Sequence, residues 1–237
     1  MAFKQITSIE DLENLALELG FLPFFSCGIS GYSVEELIRS DMWFSSEQEG
    51  PWKWKGPIIQ NNRLAYGKFF RHKAVFVSLE WLPDFINYRR SLRPKISDDL
   101  AALNDIVLQS LEIDGSATIK ELRQELDFAC GRKKRSDYDL VDTLPLTNNK
   151  KIPLDLILSR LQMETRLVIK DFEYNTDRHG KPYGWGIARY ATPETLYGRE
   201  IINAEGRTPE VSRQRIFDHL SKIIPNANEK QITKLIG

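Results

Sequence analysis

The chain has 237 residues, of which 41% are hydrophobic and 28% are charged, and its 33 basic residues balance 33 acidic ones. This neutrality excludes a global basic field, so any attraction to nucleic acid must come from local patches. Two distant cysteines exclude a disulfide framework, and no apolar run reaches the roughly 18–20 residues that cross a bilayer. Because the N-terminus also lacks a signal-peptide core, we expect a cytoplasmic protein without a membrane partner.

The first part of the chain predicts a small α+β module over residues 1–95. Residues 8–19 have the pattern of a capped amphipathic helix. Residues 74–78 have the pattern of a buried strand and directly follow the basic cluster of residues 71–73. An Arg-Pro pair marks the boundary to a second module, 96–237, although so short a linker does not require independent domains.

Residues 50–57 alternate tryptophan with lysine, a spacing that on an extended segment would separate the two residue types onto opposite faces. Two interpretations are open. Trp52 and Trp54 could stack on bases while Lys53 and Lys55 contact phosphates. Alternatively, both tryptophans are buried and the lysines face solvent. We favour burial, because tryptophan is usually largely buried in folded proteins.

Three helical patterns begin the second module and predict a winged helix-turn-helix over residues 97–191. Ser97 is positioned to cap the first helix. Thr118 and Glu121 have the spacing of a capping box at the start of the second helix. Pro153 suits the first turn of the third helix, which would be the one that reads DNA.

A two-stranded ribbon follows the third helix and completes the predicted module. Residues 167–174 and 183–190 are rich in β-branched and aromatic residues and flank a turn-forming segment. Thr192 and Thr208 then begin further short helices. The predicted fold class is therefore α+β, mostly helical, with a C-terminal winged helix-turn-helix and a small β element in the N-terminal half.

Residues that could contact nucleic acid fall in three segments of the second module. The third helix carries Ser159, Arg160 and Gln162 off its apolar stripe, and these residue types bond base edges or phosphate. The loop before that helix and the ribbon tip supply further candidates. These are Arg132, Lys133, Lys134, Arg135, Arg178, His179 and Lys181. A charge run is often only a solvated loop, but three basic segments around one module favour double-stranded DNA as the partner.

Signals for enzymatic chemistry are sparse. His72, His179 and His219 are scattered, without the spacing of metal ligands. The chain contains no phosphate-binding loop, dinucleotide glycine pattern or serine nucleophile elbow. Acid pairs such as residues 98–99 fall in first helical turns, where the helix dipole explains them. We expect neither a metal nor a cofactor.

Two segments resemble the bacterial AlkZ-type (YcaQ-like) winged-helix DNA glycosylases, which excise alkylated bases and unhook interstrand crosslinks. Residues 72–83 are similar in register to that family's His-x-Ala-Ser-Leu-Leu-Pro-x-Glu-x-x-Pro segment. Residues 158–169 look like the family's third helix running into its wing. The resemblance covers residues 60–198, and the whole chain looks close to the shorter proteins described as AlkZ-related.

The chain departs from the resembled family where that family carries its catalysis. The family's Gln-x-Gln or Gln-x-Asp motif, which positions the hydrolytic water, should lie upstream of His72, and no such motif occurs there. The family's serine corresponds to Val75, so His72 and Ala74 match in position only. A base-excision enzyme must activate water at the sugar of a flipped base, and the missing pair argues against glycosylase activity.

Three functional hypotheses follow. The first is a DNA-binding protein of the AlkZ-related type that is non-catalytic or catalytically diverged. The second is an active glycosylase that uses an acid near His72, such as Glu80 or Asp84. The third is a protein-interaction module in which the winged fold pairs two copies of the chain. The first hypothesis requires cations from separate segments to converge on the side that the third helix shares with the ribbon.

Overall fold

The computed structural model describes residues 3–43, 50–129, 143–145, 151–180 and 182–237, which form an α+β fold as predicted. Within these ranges, no helix is both long enough and apolar enough to span a membrane. The first part of the chain contains α1 (Ile9–Leu19), β1 (Phe21–Pro23), α2 (Val34–Leu37), α3 (Pro51–Gln60), β2 (Leu64–Phe70), β3 (Lys73–Ser78) and α4 (Leu82–Ser91).

The second part continues with the predicted order of helices and ribbon. Its elements are α5 (Asp98–Asp114), β4 (Ala117–Thr118), α6 (Ile119–Ala129), β5 (Thr143–Pro145), β6 (Lys151–Pro153), α7 (Leu154–Met163), β7 (Val168–Thr176), β8 (Pro182–Ala191), α8 (Pro193–Tyr197), α9 (Pro209–Ile223) and α10 (Glu229–Ile236).

The helices begin at the capping residues that the sequence indicated. Ser8 Oγ accepts the backbone N–H of Asp11 at 3.1 Å. Thr118 and Glu121 form the predicted capping box, because Glu121 Oε2 accepts the N–H of Thr118 at 2.7 Å while Thr118 Oγ1 accepts the N–H of Glu121 at 3.4 Å. Each bond satisfies a backbone donor that the first helical turn leaves without an intrahelical partner.

The N-terminal half is built on an antiparallel sheet with the strand order β1-β3-β2. The buried strand predicted at residues 74–78 is confirmed as β3, whereas β1 and β2 were not predicted. Arg71 and His72 alone join β2 to β3, and their φ angles are 51° and 63°. Turns of this length usually place glycine or asparagine at such left-handed positions, because a Cβ atom makes that conformation costly.

The second sheet joins the ribbon to the start of α6. Its strand order is β4-β8-β7, with Ala117 opposite Tyr190 and Val168 opposite Ala191. A separate short pair, β5 and β6, precedes α7. Pro153 lies immediately before the first residue of α7, where it has no helical N–H to lose. The predicted ribbon is thus confirmed, and a third strand that sequence reasoning missed is added to it.

One continuous hydrophobic core includes buried residues from both halves of the chain. Helix α4 packs on α9, where Asn87 Nδ2 donates to Ser212 Oγ at 2.9 Å. Helix α7 packs on β2 across the predicted boundary near residue 95. The division into modules 1–95 and 96–237 stays a prediction. The hydrophobic core extends across the boundary between them.

The tryptophan- and lysine-rich segment is a helix, so its predicted extended conformation is wrong. Pro51 begins α3, a position that suits proline because its φ is already helical. Trp54 is buried, as favoured, but Lys55 is buried too. Helical spacing places Trp52 and Lys55 on the same face, with Lys55 Nζ 4.4 Å from the Trp52 ring centroid.

Candidate nucleic-acid interface

The predicted reading helix, α7, is covered on two sides. Its apolar stripe faces the core of the second half, with Ile157 and Leu161 each at most 1% exposed. Its opposite polar positions, Ser159 and Gln162, are buried against the β2–β3 hairpin. Among the described residues of the helix, the exposed ones include Asp155 and Leu156, which are poor partners for phosphate. Helix α7 therefore offers little surface to a DNA groove.

Hydrogen bonds explain why the polar residues of α7 face inward. Gln162 Oε1 accepts the backbone N–H of Lys68 at 3.0 Å, and Gln162 Nε2 donates to the carbonyl of Leu158 at 3.1 Å. Ser159 Oγ lies 2.9 Å from His72 Nδ1 at the hairpin turn. In this arrangement neither Ser159 nor Gln162 is accessible, so the prediction that they contact bases is corrected. They hold two parts of the chain together.

Arg160 is held in an ion pair on its own helix. Its Nε lies 3.0 Å from Glu164 Oε1, one helical turn away. Arg166 Nε approaches the other oxygen of the same carboxylate at 3.5 Å. Glu164 therefore compensates part of the positive charge that the sequence indicated on this helix.

The base of the ribbon is anchored against the N-terminal half. Phe172 packs on Tyr66 with ring centroids 6.1 Å apart, and Lys55 Nζ lies 3.8 Å from the centroid of the Phe172 ring. Gln60 Nε2 donates to Asp171 Oδ1 at 2.8 Å. These contacts hold the first strand of the ribbon where it leaves the core, and the residues beyond Phe172 on this strand are exposed.

Among the side chains that the structure describes there, the outer half of the ribbon exposes a cation, an imidazole and two aromatic rings. Arg178 and His179 occupy the turn, where the N–H of His179 is accepted by Asp177 Oδ1 at 2.8 Å. Arg178 Nε donates to His179 Nε2 at 3.0 Å. Tyr174 is 39% exposed and Tyr183 is 56% exposed. This combination of side chains can contact phosphate and stack on bases.

The predicted cations that the structure describes lie in separate places. Arg178 and His179 lie at the ribbon tip, whereas Arg160 is paired at the end of α7. Farther down the ribbon, Arg189 bonds the carboxylates of Glu121 and Glu173. Five predicted site residues lie outside the described residues, namely Arg132, Lys133, Lys134, Arg135 and Lys181.

Asp84, one of the candidate catalytic acids, is a buried structural carboxylate. Its side chain is 1% exposed and accepts hydrogen bonds from Arg207 Nε at 2.8 Å, Ser212 Oγ at 2.7 Å and Arg215 Nε at 3.0 Å. Burial by itself would raise the pKa of this carboxyl, but the bonds from Ser212 and the two guanidiniums outweigh it, so the pKa is lowered. The prediction of a catalytic role for Asp84 is therefore corrected.

The other two catalytic candidates remain accessible. His72 is exposed at the hairpin turn, and its Nδ1 is engaged by Ser159. Glu80 is exposed in the turn between β3 and α4. Within the described ranges, no three His, Cys, Asp or Glu side chains are grouped as a metal site would require.

Comparison with known proteins relates this architecture to one family. The model of the AlkZ-related family matches residues 6–237. The chain belongs to the AlkZ-related family. No curated protein and no solved structure matches it. The family match extends beyond residues 60–198, on which the motif resemblance depends, and includes α1 and the C-terminal helices.

Sequence reasoning missed two features of this AlkZ-related chain. Tyr174 and Tyr183 flank the ribbon turn and are exposed. Their position beside the turn, beyond the apolar residues of the two strands, could have predicted this exposure. Lys55 is buried between Trp52 and Phe172. The Trp-x-x-Lys spacing of α3 is enough to predict the contact between Trp52 and Lys55. Phe172 lies in a strand more than 100 residues later in the chain, so its contact with Lys55 could be found only from the fold.

Proposed function

We propose that this AlkZ-related chain is a double-stranded-DNA-binding protein, a non-catalytic or diverged relative of a DNA-repair glycosylase. Residues 97–191 would form its winged helix-turn-helix. The order α5, β4, α6, α7, β7, β8, together with a sheet that places β8 between β4 and β7, supports this assignment. That order is typical of winged-helix modules, in which the ribbon is the wing.

The ribbon tip, and not α7, would make the principal DNA contact. The observation that carries this proposal is the exposed outer half of the ribbon, with Arg178 and His179 at the turn and Tyr174 and Tyr183 beside it. A guanidinium suits phosphate or a narrow minor groove, and exposed tyrosines have π-faces for bases. Contacts of this kind bind DNA with little dependence on sequence.

The binding experiment compares wild-type protein with Arg178→Gln. We expect wild-type affinity for duplex DNA to fall steeply with salt, because phosphate contacts release counterions. Arg178→Gln should weaken binding by about three- to tenfold on every duplex sequence and reduce the slope of log affinity against log salt by about one. Fluorescence anisotropy across a salt series measures both quantities.

The matched control is Arg63→Gln. Arg63 is an exposed arginine of the N-terminal half, 3.6 Å from Glu13, and its loss should leave DNA affinity unchanged. Wild-type protein that shows no binding at about 50 mM salt would end the proposal. Equal affinities of the two arginine variants would show that the ribbon is not the contact.

An active glycosylase is the second candidate, favoured by family membership and by the exposure of Glu80. This enzyme would release free base from alkylated DNA and lose that activity in Glu80→Gln. Incubation of the full chain with a panel of alkylated duplexes, followed by chromatography of released bases, tests it. Absence of release from the whole panel would leave the non-catalytic proposal.

A further inference from the structure

The two-residue turn between β2 and β3 exposes basic side chains that the proposed ribbon contact does not use. Arg71, His72 and the next residue, Lys73, are all exposed. Two of them hold the turn in place. Ser159 Oγ of α7 lies 2.9 Å from His72 Nδ1, and Lys73 Nζ donates to the carbonyl of Ser26. The turn is therefore anchored through His72 and Lys73, and the side chain of Arg71 takes no part in anchoring it.

Arg71 is the uncommitted cation of this turn. Among the residues that the structure describes, none forms a hydrogen bond or ion pair with its guanidinium. Several arginines of the same half are committed within the chain, because Arg39, Arg63 and Arg90 each pair with a carboxylate. Arg71 thus carries a charge that the described part of the chain does not compensate by contact.

The two neighbours of Arg71 along the chain differ in what they leave free. Glu35 accepts the N–H of Ser26 at 2.8 Å, and Lys73 bonds the carbonyl of the same serine, so a carboxylate lies on the Lys73 side of the turn. His72 is engaged through Nδ1 alone, and its Nε2 bonds no described residue. The atoms left for a ligand are therefore the guanidinium of Arg71 and Nε2 of His72.

The backbone of the turn is strained at both of these residues. The φ angle of Arg71 is 51° and that of His72 is 63°, a left-handed conformation that glycine adopts without steric cost. The bond to Ser159 gives His72 a structural reason to occupy its position, but Arg71 has no such bond. A long charged side chain at a strained position, with no contact to hold it there, is typical of a residue that serves a ligand.

We infer that Arg71 and His72 contact the phosphate backbone of double-stranded DNA, in addition to the contact of the ribbon tip. This inference rests on the proposed DNA-binding function. A guanidinium presents its N–H groups in a planar fork that matches two oxygens of one phosphate. Nε2 of His72 supplies a further donor on the adjacent residue, and Lys73 adds positive charge to the same turn.

The spacing of the two residues favours DNA over an acidic segment of another protein. Their Cα atoms are consecutive, so they lie about 3.8 Å apart. Duplex DNA carries about one negative charge per 1.7 Å of its axis, so both side chains find phosphate oxygens within reach. On one face of an extended acidic peptide, charges repeat only at every second residue, roughly 6.6 Å apart.

The binding test measures fluorescence anisotropy of the full chain with duplex DNA across a salt series. Arg71→Gln should weaken binding by about three- to tenfold on every duplex sequence and reduce the slope of log affinity against log salt by about one. Arg71→Lys should keep the slope, because the charge that releases the counterion is retained. Arg63→Gln is the matched control, since Arg63 lies at the opposite end of the same hairpin and should not affect binding.

Arg71→Gly separates a binding role from a structural one. Glycine relieves the strain of the turn, so this variant should raise the midpoint of thermal unfolding by about 1–3 °C. It should also lose as much DNA affinity as Arg71→Gln. A lowered midpoint would show that Arg71 stabilises the turn and would overturn its assignment to a ligand.

The inference is also overturned if Arg71→Gln binds duplex DNA as tightly as Arg63→Gln does. Labelled polyglutamate that binds as tightly as the duplex, and is lost in Arg71→Gln, would assign the turn to an acidic protein segment instead. Loss of DNA affinity in Arg178→Gln alone would leave only the ribbon contact, and loss in Arg71→Gln alone would leave only the turn. Wild-type protein that binds no duplex would end both.

Discussion

Asp84 and Lys55 are both buried in the N-terminal half, and their charges are accommodated in different ways. Asp84 is surrounded by two guanidiniums and a hydroxyl, so its charge is compensated. Lys55 is 6% exposed and lies between the rings of Trp52 and Phe172. Burial lowers the pKa of the Lys55 ammonium to about 8, because a poorly hydrated environment disfavours the charged form. The aromatic rings offset part of that cost.

Replacing Asp84 by asparagine should destabilise the protein by about 2–4 kcal/mol at pH 7, because two guanidiniums lose their common carboxylate. The folded pKa of Asp84 is lowered, so its contribution is complete above the unfolded pKa of about 4. It is lost as the pH falls through the folded value. We therefore expect urea unfolding between pH 7 and pH 3 to show a difference in unfolding free energy between wild type and Asp84→Asn that narrows only in acid.

The control for Asp84→Asn is Glu205→Gln. Glu205 bonds Arg207, one of the same guanidiniums, at 3.1 Å, but its side chain is 81% exposed. Its replacement should change the unfolding free energy by less than about 1 kcal/mol, as is usual for exposed pairs. Equal losses in the two variants would contradict a special role for Asp84.

Replacing Lys55 by methionine should stabilise the protein at pH 7 by about 1–2 kcal/mol, because the buried ammonium is removed while the chain volume is kept. The pKa of Lys55 in the folded protein lies below the unfolded value of about 10.4, so the buried ammonium destabilises the folded state by its full amount below pH 8. As the pH rises from 8 to 10, wild-type protein loses the proton in the folded state and the difference should narrow.

The exposed neighbour Lys53 provides the comparison for Lys55. Lys53→Met should leave the unfolding free energy within about 0.5 kcal/mol of wild type at every pH. Thermal or urea unfolding between pH 7 and pH 10 measures both variants. A Lys55→Met protein that is less stable than wild type at pH 7 would show that the aromatic contacts outweigh desolvation.

At the scale of elements, the sequence predicted DNA contacts for both α7 and the ribbon, but the two differ in how much of their surface is exposed. Helix α7 has polar residues at positions where a reading helix would display them, yet β2 covers those positions. The ribbon leaves the core after Phe172 and exposes its outer half. A helix that links two parts of the chain stabilises the fold, whereas the exposed outer half of the ribbon is the surface for which we propose a DNA contact.

Gln162→Leu tests this division. The variant should lose about 1–3 kcal/mol of stability, because the N–H of Lys68 loses its acceptor. Its DNA affinity, measured where the protein is fully folded, should stay within twofold of wild type. Gln214→Leu, at an exposed position on α9, should change stability by less than about 0.5 kcal/mol. A selective loss of DNA binding in Gln162→Leu would restore α7 as the reading helix.

At the scale of the whole molecule, one arginine ties together three distant parts of the chain. The Arg89 guanidinium donates to the carbonyls of Phe69 at 3.0 Å, Met163 at 3.2 Å and Leu235 at 2.9 Å. Burial lowers its pKa to about 10, which leaves it charged at neutral pH. Its bonds join the first sheet, the end of α7 and α10, so the two halves share this anchor as well as the core.

We therefore expect the protein to unfold in one transition. Four of the five tryptophans precede residue 95, so their fluorescence reports mainly on the first half, whereas far-UV circular dichroism reports on helices throughout. The two urea curves should coincide. Arg89→Met should lower the unfolding free energy by about 3–5 kcal/mol and leave them coincident, whereas Arg63→Met should be neutral. Two separated wild-type transitions would instead support independent modules.

Local signals in the sequence determined most helix starts, the ribbon and the α+β class. Ser8, Ser97 and Thr118 act within four residues of their own positions, so their hydrogen bonds could be predicted without knowing the fold. The same holds for the alternation of β-branched and aromatic residues in the ribbon. The motifs at residues 72–83 and 158–169 are likewise read directly from the order of residues in the chain, and they indicated the AlkZ-related family.

Tertiary structure alone decided which polar side chains are available. Ser159 and Gln162 have the residue types of a DNA-reading face, but their partners, His72 and Lys68, lie about 90 residues earlier in the chain. Asp84 likewise bonds Arg207 and Arg215 only because α4 packs against α9 and the residues just before it. Burial depends on which surfaces meet, and contacts between residues so distant in sequence leave no local periodicity from which they can be read.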